Sequence, residues 1–219
     1  MQPTRLETVS VLEVTSVVAV VRVNSAQDLT QLASALGSGG VRLVEFTLTV
    51  PGALDAINRA SRELEGEVII GAGTVLDSVS ARLAVDAGAA FIVAPTIDPD
   101  VIAMAHRYGV AAIPGALTPT EVGAAMSAGA DAIKLFPGRV ATPDYFTDVL
   151  GPLPQARLLP TGNVTLETAP QYIAAGAVAV GVGKALVDPE LLAAGEWAAI
   201  AERARAFRSA VEAAKDQRS

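Results

Sequence analysis

Lys134 lies inside the apolar run 132–137, in a chain that has only two other lysines, Lys184 and Lys215, among its 16 basic residues. Removing water from an ammonium group is costly unless a partner replaces it, so burial favours the neutral amine. A neutral amine is the nucleophile that forms a Schiff base with a carbonyl compound. A lysine near a strand end can also lay its stem along apolar surface and keep its head in water. The segment alone leaves both interpretations open.

Glu45 is the one carboxylate in the apolar segment 43–48. Side chains of a strand alternate between its two faces, so Glu45 shares a face with Leu43 and Thr47, while Val44 and Phe46 occupy the other. If the apolar pair faces the helices, Glu45 points to the interior of the sheet. A carboxylate and Lys134 in one interior form either a structural ion pair or a proton-transfer group beside a nucleophile, which suits a carbonyl substrate.

Two glycine-containing segments near the C-terminal end of the chain are candidates for binding an anion. Thr161, Gly162 and Asn163 precede a predicted helix, and Gly183 and Lys184 end a run of valines and glycines. Glycine lets backbone N–H groups approach an anion, and a helix N-terminus adds a favourable dipole. The segments predict a phosphate site, although turns also use glycine. Lys184 is compatible with phosphate binding, with an ordinary surface position, or with a rival Schiff-base lysine.

Arg22 and Thr74 are candidates for binding a substrate carboxylate. Arg22 ends a run of valine and alanine, and an arginine fork matches a carboxylate well. The alternative is an ordinary arginine at a strand end. Thr74 follows a Gly-Ala-Gly segment, where its hydroxyl is expected to support the same carboxylate.

These residues lie in or shortly after short apolar runs that recur every 20 to 25 residues or so, each followed by a helical pattern. The runs span 17–23, 41–47, 68–71, 91–94, 110–114, 132–136, 157–161 and 178–183. Helices are predicted at 26–36, 52–64, 79–87, 99–107, 119–128 and 166–175, with N-caps at Ser25, Ser78, Asp98, Thr118 and Thr165. The repeat predicts a single (β/α)8 TIM barrel over residues 1–219 with a short N-terminal helix at 6–14, and a doubly wound open sheet is the alternative. In such barrels the chemistry gathers at the carboxyl ends of the strands.

Composition excludes several classes of function. A net charge of -7 argues against a non-specific nucleic-acid binder or a protein that binds anionic membranes. Cysteine is absent, which removes disulfides, thiolate nucleophiles and Cys-ligated zinc, and a single histidine, His106, is expected on the surface rather than in a metal site. No apolar run reaches the ~20 residues of a membrane span and no leader pattern is present, so we predict a cytoplasmic protein.

Several ordered motifs resemble one family. Segments 41–47, 71–75, 133–137 and 160–162 are similar to those of the 2-keto-3-deoxy-6-phosphogluconate (KDPG) / 4-hydroxy-2-oxoglutarate (KHG) aldolases, over about residues 17 to 187. The resemblance implies a homotrimeric class I aldolase that needs no metal or cofactor, a carbon–carbon lyase that releases pyruvate and an aldehyde. It implies Lys134 as the Schiff-base residue and Glu45 as the general acid and base acting through a water. It further places substrate-binding residues at Thr74, Pro95, Phe136, Thr161, Gly162, Asn163 and Gly183.

The chain departs from the family pattern at three places. Some members hold the pyruvate carboxylate with an arginine in the loop after the second strand, where this chain reads 47–51 without one; others use an arginine that Arg22 matches. Asn163 replaces a usual second glycine, and Lys184 stands where serine is common. Two alternatives to the aldolase follow: a phosphosugar isomerase or epimerase on the same barrel, and a non-catalytic oligomeric scaffold.

Overall fold

A computed structural model describes residues 2–218, which form parallel strands alternating with helices. The strands are β1 Val17–Val21, β2 Leu43–Thr47, β3 Ile69–Gly73, β4 Phe91–Val93, β5 Ala111–Ile113, β6 Gly115–Ala116, β7 Ile133–Leu135, β8 Leu158–Pro160 and β9 Val180–Val182. The helices are α1 Arg5–Thr15, α2 Leu29–Ser38, α3 Ala53–Glu63, α4 Ser78–Ala87, α5 Pro99–Arg107, α6 Pro119–Ser127, α7 Pro143–Leu150, α8 Ala169–Ala174, α9 Pro189–Ala194 and α10 Trp197–Asp216. None of these described helices combines the length and apolar character that crossing a bilayer requires.

The strands form two parallel sheets rather than the single ring that the repeat predicts. A curled six-stranded sheet has the order β5-β4-β3-β2-β1-β9, and a three-stranded sheet has the order β6-β7-β8. Every pairing is parallel, with Val20 opposite Glu45 and Glu45 opposite Gly71. The parallel α/β class is therefore confirmed, whereas the sheet pairing describes a half-barrel and a smaller second sheet.

Pro114 explains why the fifth strand ends at Ile113 and a separate short strand, β6, follows it. Proline has no N–H to donate to a ladder, so a strand is interrupted where proline falls. Its carbonyl still accepts from the Lys134 amide at 2.9 Å. As a result β5 pairs with β4, and β6, two residues later, pairs with β7.

Two apolar layers hold the sheets and helices together. The larger layer lies between strands and helices and contains Val44 and Phe46, as the alternation in β2 predicts. The smaller layer lies on the opposite face of the strands and contains Leu43, together with Val9 and Leu12 of α1. The N-terminal helix therefore packs its apolar side against the interior of the curled sheet.

Helix starts follow the capping rules, but not always at the predicted residue. Asp98 and Thr118 cap α5 and α6 as predicted. Asp77, not Ser78, caps α4 by accepting from the Ser80 amide at 2.7 Å. The predictions at Ser25 and Thr165 were wrong by three residues, because α2 starts after Asp28 and α8 after Thr168. Neither Asp28 nor Thr168 makes a side-chain cap bond, whereas the Thr165 hydroxyl accepts from the Thr168 amide at 3.2 Å, one turn before α8 begins.

The prediction that His106 is a surface residue was wrong. Its side chain is only 21% exposed, and Nε2 lies 3.1 Å from a carboxylate oxygen of Asp131. Asp131 is buried, pairs with Arg5 at 2.7 Å and accepts from the Ala112 amide at 2.8 Å. This cluster fastens α1 to the amino ends of the strands, away from the predicted chemistry.

Candidate active site

Lys134 occupies the middle of β7 with 3% of its surface exposed. Among residues 2–218 it has no side-chain hydrogen bond and no ion pair, and its Nζ lies 5.2 Å from the centroid of the Phe136 ring. The side chain nevertheless lines a cavity at the carboxyl ends of the strands. A small molecule in that cavity can therefore reach the amine. No carboxylate of the described residues forms an ion pair with it.

Glu45 is buried in β2, with 1% of its surface exposed. Its Oε1 has no hydrogen-bond partner among the described residues, and no ion pair within 4.0 Å joins the carboxylate to Lys134. Burial raises the pKa of the Glu45 carboxyl group, and the charges of Lys134 and Arg22 offset this only in part. A direct ion pair between Glu45 and Lys134, the first interpretation of these two residues, is therefore absent. The second interpretation remains, in which a carboxyl group with a raised pKa lies near an amine that has no polar partner.

Gly73 gives the Glu45 carboxyl group its space. A Cβ atom added at Gly73 would lie 1.7 Å from Glu45 Oε1, well inside contact distance. Glycine is used where another group must approach the backbone this closely.

We expect Gly73→Ala to displace the Glu45 carboxyl group and to lower kcat about 10²-fold or more, because a general acid that is misplaced by about 1 Å loses its geometry. Steady-state kinetics tests this. Gly123→Ala is the matched control, since a Cβ there meets nothing within 4 Å. Equal effects of the two substitutions would contradict the expectation.

Arg22 and Thr74 lie together at the ends of β1 and β3, as the sequence predicts. The Arg22 guanidinium donates to the Thr74 hydroxyl at 3.2 Å. Thr74 adopts a φ of 59°, a left-handed conformation that is uncommon for a β-branched residue. Such strain persists where surrounding structure enforces it and is frequent at ligand sites. The pair presents a guanidinium and a hydroxyl to the same region.

A cavity of about 570 Å³ unites most of the predicted site residues. Its lining includes Arg22, Lys134, Phe136, Thr161, Gly162, Asn163, Gly183 and Lys184. Glu45, Thr74 and Pro95 do not line it. Glu45 is buried, Thr74 is hydrogen-bonded to the lining residue Arg22, and the Pro95 carbonyl lies against Gly115, where the two sheets meet.

Two of the loops that line the cavity have free backbone donors. The amide groups of Gly162, Asn163 and Val164, and those of Lys184 and Ala185, have no acceptor within residues 2–218. Asn163 has a φ of 62°, so it takes the left-handed conformation that glycine usually supplies and that asparagine tolerates better than most residues. The change from glycine therefore keeps the turn, and successive free N–H groups form a concave surface suited to an anion.

Arg139 is a lining residue that the sequence analysis missed. It follows the end of β7 by four residues, in the loop 136–142 that leads to α7. A basic residue shortly after the strand of Lys134, at the face where barrels bind ligands, was the available signal.

The described residues contain no group of three or more His, Asp or Glu side chains arranged to hold a metal ion.

Comparison with known proteins decides the family. The family model "KDPG and KHG aldolase" matches residues 8–203. This chain belongs to the KDPG and KHG aldolase family. The KHG/KDPG aldolase of Escherichia coli K12 is 33% identical over 207 residues, which is 94% of this chain and 95% of the relative.

Solved structures agree with the family. A KDPG aldolase from Legionella pneumophila, with pyruvate captured as a covalent carbinolamine intermediate, has a TM-score of 0.84 at 26% identity and covers 91% of this chain and 97% of its own. A designed protein cage, made by fusing symmetric oligomeric domains, also has a TM-score of 0.84, at 30% identity over 92% of this chain and 74% of the cage chain. The protein is thus an aldolase, a carbon–carbon lyase, and the isomerase and scaffold alternatives find no support in these matches.

Proposed function

We propose that this aldolase cleaves 2-keto-3-deoxy-6-phosphogluconate into pyruvate and glyceraldehyde 3-phosphate, and 4-hydroxy-2-oxoglutarate into pyruvate and glyoxylate. The observation that carries the proposal is the unpartnered Lys134 amine in the cavity, close to a buried Glu45 with a raised pKa. The names of the family relatives support the two substrates.

The first half of the reaction makes an imine. The neutral Lys134 amine attacks the keto carbon and forms a carbinolamine. Glu45, acting through a water, protonates the hydroxyl group of the carbinolamine. That group leaves as water, and an iminium remains. A carboxyl group that holds its proton readily, as burial makes Glu45 do, suits this donation.

The second half breaks the carbon–carbon bond. The Glu45 carboxylate formed in the first half takes the proton of the C4 hydroxyl while the C3–C4 electron pair moves into the iminium. The aldehyde leaves, and an enamine remains on Lys134. Glu45 returns the proton to C3, and water hydrolyses the new iminium to pyruvate. Protons balance because the carboxyl group donates, accepts and donates again, and then takes back the proton that hydrolysis of the iminium releases.

The remaining site residues hold the substrate. We propose that Arg22 and Thr74 bind the pyruvate carboxylate, since their side chains are already hydrogen-bonded to each other. Pro95 and Phe136 form the pyruvate pocket. The segment 161–163 and the loop at 183–184 receive the phosphate through their free amide groups.

A coupled assay tests the function. The protein is mixed with either keto acid, and pyruvate is followed through lactate dehydrogenase and NADH. Pyruvate and the matching aldehyde in equal amounts are the expected products. An intact protein that releases no pyruvate from either acid would refute the proposal, and conversion without cleavage would favour an isomerase.

We further propose that the two sheets close into one (β/α)8 barrel within a single domain of residues 1–219. A bridge joins Thr161 to Gly181, and the Val178 amide donates to the Leu158 carbonyl at 2.9 Å, so β8 lies beside β9. On the other side, only Pro114 separates β5 from β6. The interior apolar layer includes residues from both sheets, which supports a common core.

We propose a homotrimer, in keeping with the oligomeric domains of the designed cage. An apolar patch at the start of α4, formed by Leu76, Val79 and Leu83, is the surface we expect to contact a second copy, because each of the three is at least 50% exposed. Val79 and Leu83 lie four residues apart on one helix face.

Replacing both Val79 and Leu83 by Glu is expected to reduce the mass measured by light scattering from three protomers to one, because charge is then buried at the contact. Leu6→Glu, at an exposed apolar residue on α1, is the control and keeps the wild-type mass. A trimer that survives the double substitution would rule out this patch.

A cytoplasmic location also stays a prediction, and cell fractionation would test it.

A further inference from the structure

The cavity concentrates positive charge in a chain whose net charge is -7. Its lining contains Arg22, Lys134, Arg139 and Lys184 but no aspartate or glutamate. In a cleft with apolar walls such charges act over a longer range than they do on an open surface. The cavity therefore favours a substrate with more negative charge than one carboxylate.

Arg139 and Lys184 differ from the basic residues of the chain that ion pairs hold in place. Arg5, Arg82, Arg157 and Arg203 all form ion pairs. By contrast, within residues 2–218 neither Arg139 nor Lys184 makes a side-chain hydrogen bond or an ion pair. Both are exposed and unpaired, on loops that face one cavity.

The position of these two cations along the cavity matters. Arg22 is hydrogen-bonded to Thr74, whereas Arg139 and Lys184 lie on the loops after β7 and β9, on either side of the loop after β8 that carries the free amide groups of 162–164. A ligand that reaches from Lys134 towards these loops shares the cavity with both cations. Two cations and several N–H donors match a phosphate monoester, which carries about two negative charges at neutral pH, better than a second carboxylate, which carries one.

We propose that Arg139 is a specificity-determining residue that works with Lys184 to bind the distal phosphate dianion, so that this aldolase prefers the phosphorylated keto acid to the dicarboxylic one. The inference rests on the proposed function, because it concerns the far end of the same substrate. Arg139 adds a phosphate ligand on the β7 to α7 loop, and Lys184 adds charge where serine is usual in the family.

The test compares kcat/KM of wild type, Arg139→Ala, Lys184→Ala and the double variant on three acids. These are 2-keto-3-deoxy-6-phosphogluconate, its unphosphorylated counterpart 2-keto-3-deoxygluconate, and 4-hydroxy-2-oxoglutarate. Each single substitution is expected to lower kcat/KM for the phosphorylated acid about 10-fold to 100-fold, mainly through KM, because one charge-assisted hydrogen bond is lost. The same substitutions are expected to lower kcat/KM for the unphosphorylated acid much less.

Two controls separate the possible failures. Arg107→Ala changes an exposed, unpaired arginine of α5 outside the cavity, and it is expected to match wild type on all three acids. Trapping of pyruvate by borohydride, which needs no distal anion, shows that Lys134 is still reactive in every variant. Equal losses on phosphorylated and unphosphorylated acids, or no loss at all, would overturn the role of Arg139. Wild-type protein that cleaves none of the three would instead refute the proposed function.

Discussion

Lys134→Ala is expected to abolish turnover and leave the fold intact. The substitution removes the buried amine that lines the cavity, and loss of a covalent nucleophile costs about 10⁴-fold or more in kcat. Because the amine makes no hydrogen bond or ion pair within the described residues, its removal breaks no polar contact. Circular dichroism and the thermal midpoint are therefore expected to stay close to those of wild type.

Pyruvate and borohydride identify the reactive lysine directly. Wild-type protein is expected to gain the mass of one reduced pyruvyl group, and peptide mass spectrometry is expected to locate it on Lys134. The adduct is expected to persist in Lys184→Ala and to vanish in Lys134→Ala. Lys215→Arg is the matched lysine control, since Lys215 bonds to the end of α1, away from the cavity. An adduct on Lys184 would keep the chemistry and overturn the site, and substantial turnover by Lys134→Ala would refute the mechanism.

Glu45→Gln is expected to lower kcat about 10²-fold to 10⁴-fold, the usual contribution of a general acid and base. The amide keeps the shape of the side chain but cannot pass a proton to and from the substrate. Pyruvate trapping on Lys134 is expected to continue more slowly, which distinguishes loss of proton transfer from loss of the nucleophile. A Glu45→Gln enzyme with wild-type kcat would exclude Glu45 from the reaction.

The same substitution is expected to stabilise the fold at neutral and alkaline pH. Burial raises the pKa of Glu45 above its ordinary value of 4.5, so the folded state retains a proton that the unfolded chain has already lost. The resulting stability is fully present below pH 4.5 and declines as pH rises through the raised pKa. Glutamine carries no charge at any of these pH values. The free energy of unfolding of Glu45→Gln should therefore exceed that of wild type by an amount that grows with pH.

Urea unfolding at several pH values between 4 and 9 or so measures this difference. Glu63→Gln, in α3, is the control. Its free energy of unfolding is expected to differ from that of wild type by an amount that does not grow with pH. If the stability advantage of Glu45→Gln stayed constant or shrank as pH rises, the folded state would not raise the pKa of Glu45.

Periodicity was enough to predict the strands and the face on which Glu45 lies. The alternation of Leu43, Val44, Glu45 and Phe46 divides the two apolar layers as predicted, because a strand has a fixed period of two. The division of the sheet at Pro114 was not predicted, although the missing N–H was visible in the sequence. Where a local signal has a fixed geometry, the sequence is a good guide.

Interactions between distant segments were harder to predict. His106 looked like a surface residue on α5, yet Asp131, 25 residues further along the chain, buries it. Nothing in either segment alone indicates that contact. Arg139 was missed for a related reason: its importance depends on its sharing a cavity with Lys184, and only the fold brings those two loops together.

The packing of α1 against the interior layer has a consequence for the order in which molecules enter and leave. Val9 and Leu12 fill the amino end of the curled sheet, while the cavity lies at the carboxyl end. Substrate and both products must then share one opening. In the proposed mechanism pyruvate is covalently attached to Lys134, so the aldehyde has to depart first and pyruvate last. We therefore expect ordered release, with pyruvate acting as a competitive inhibitor of cleavage and the aldehyde as a non-competitive one.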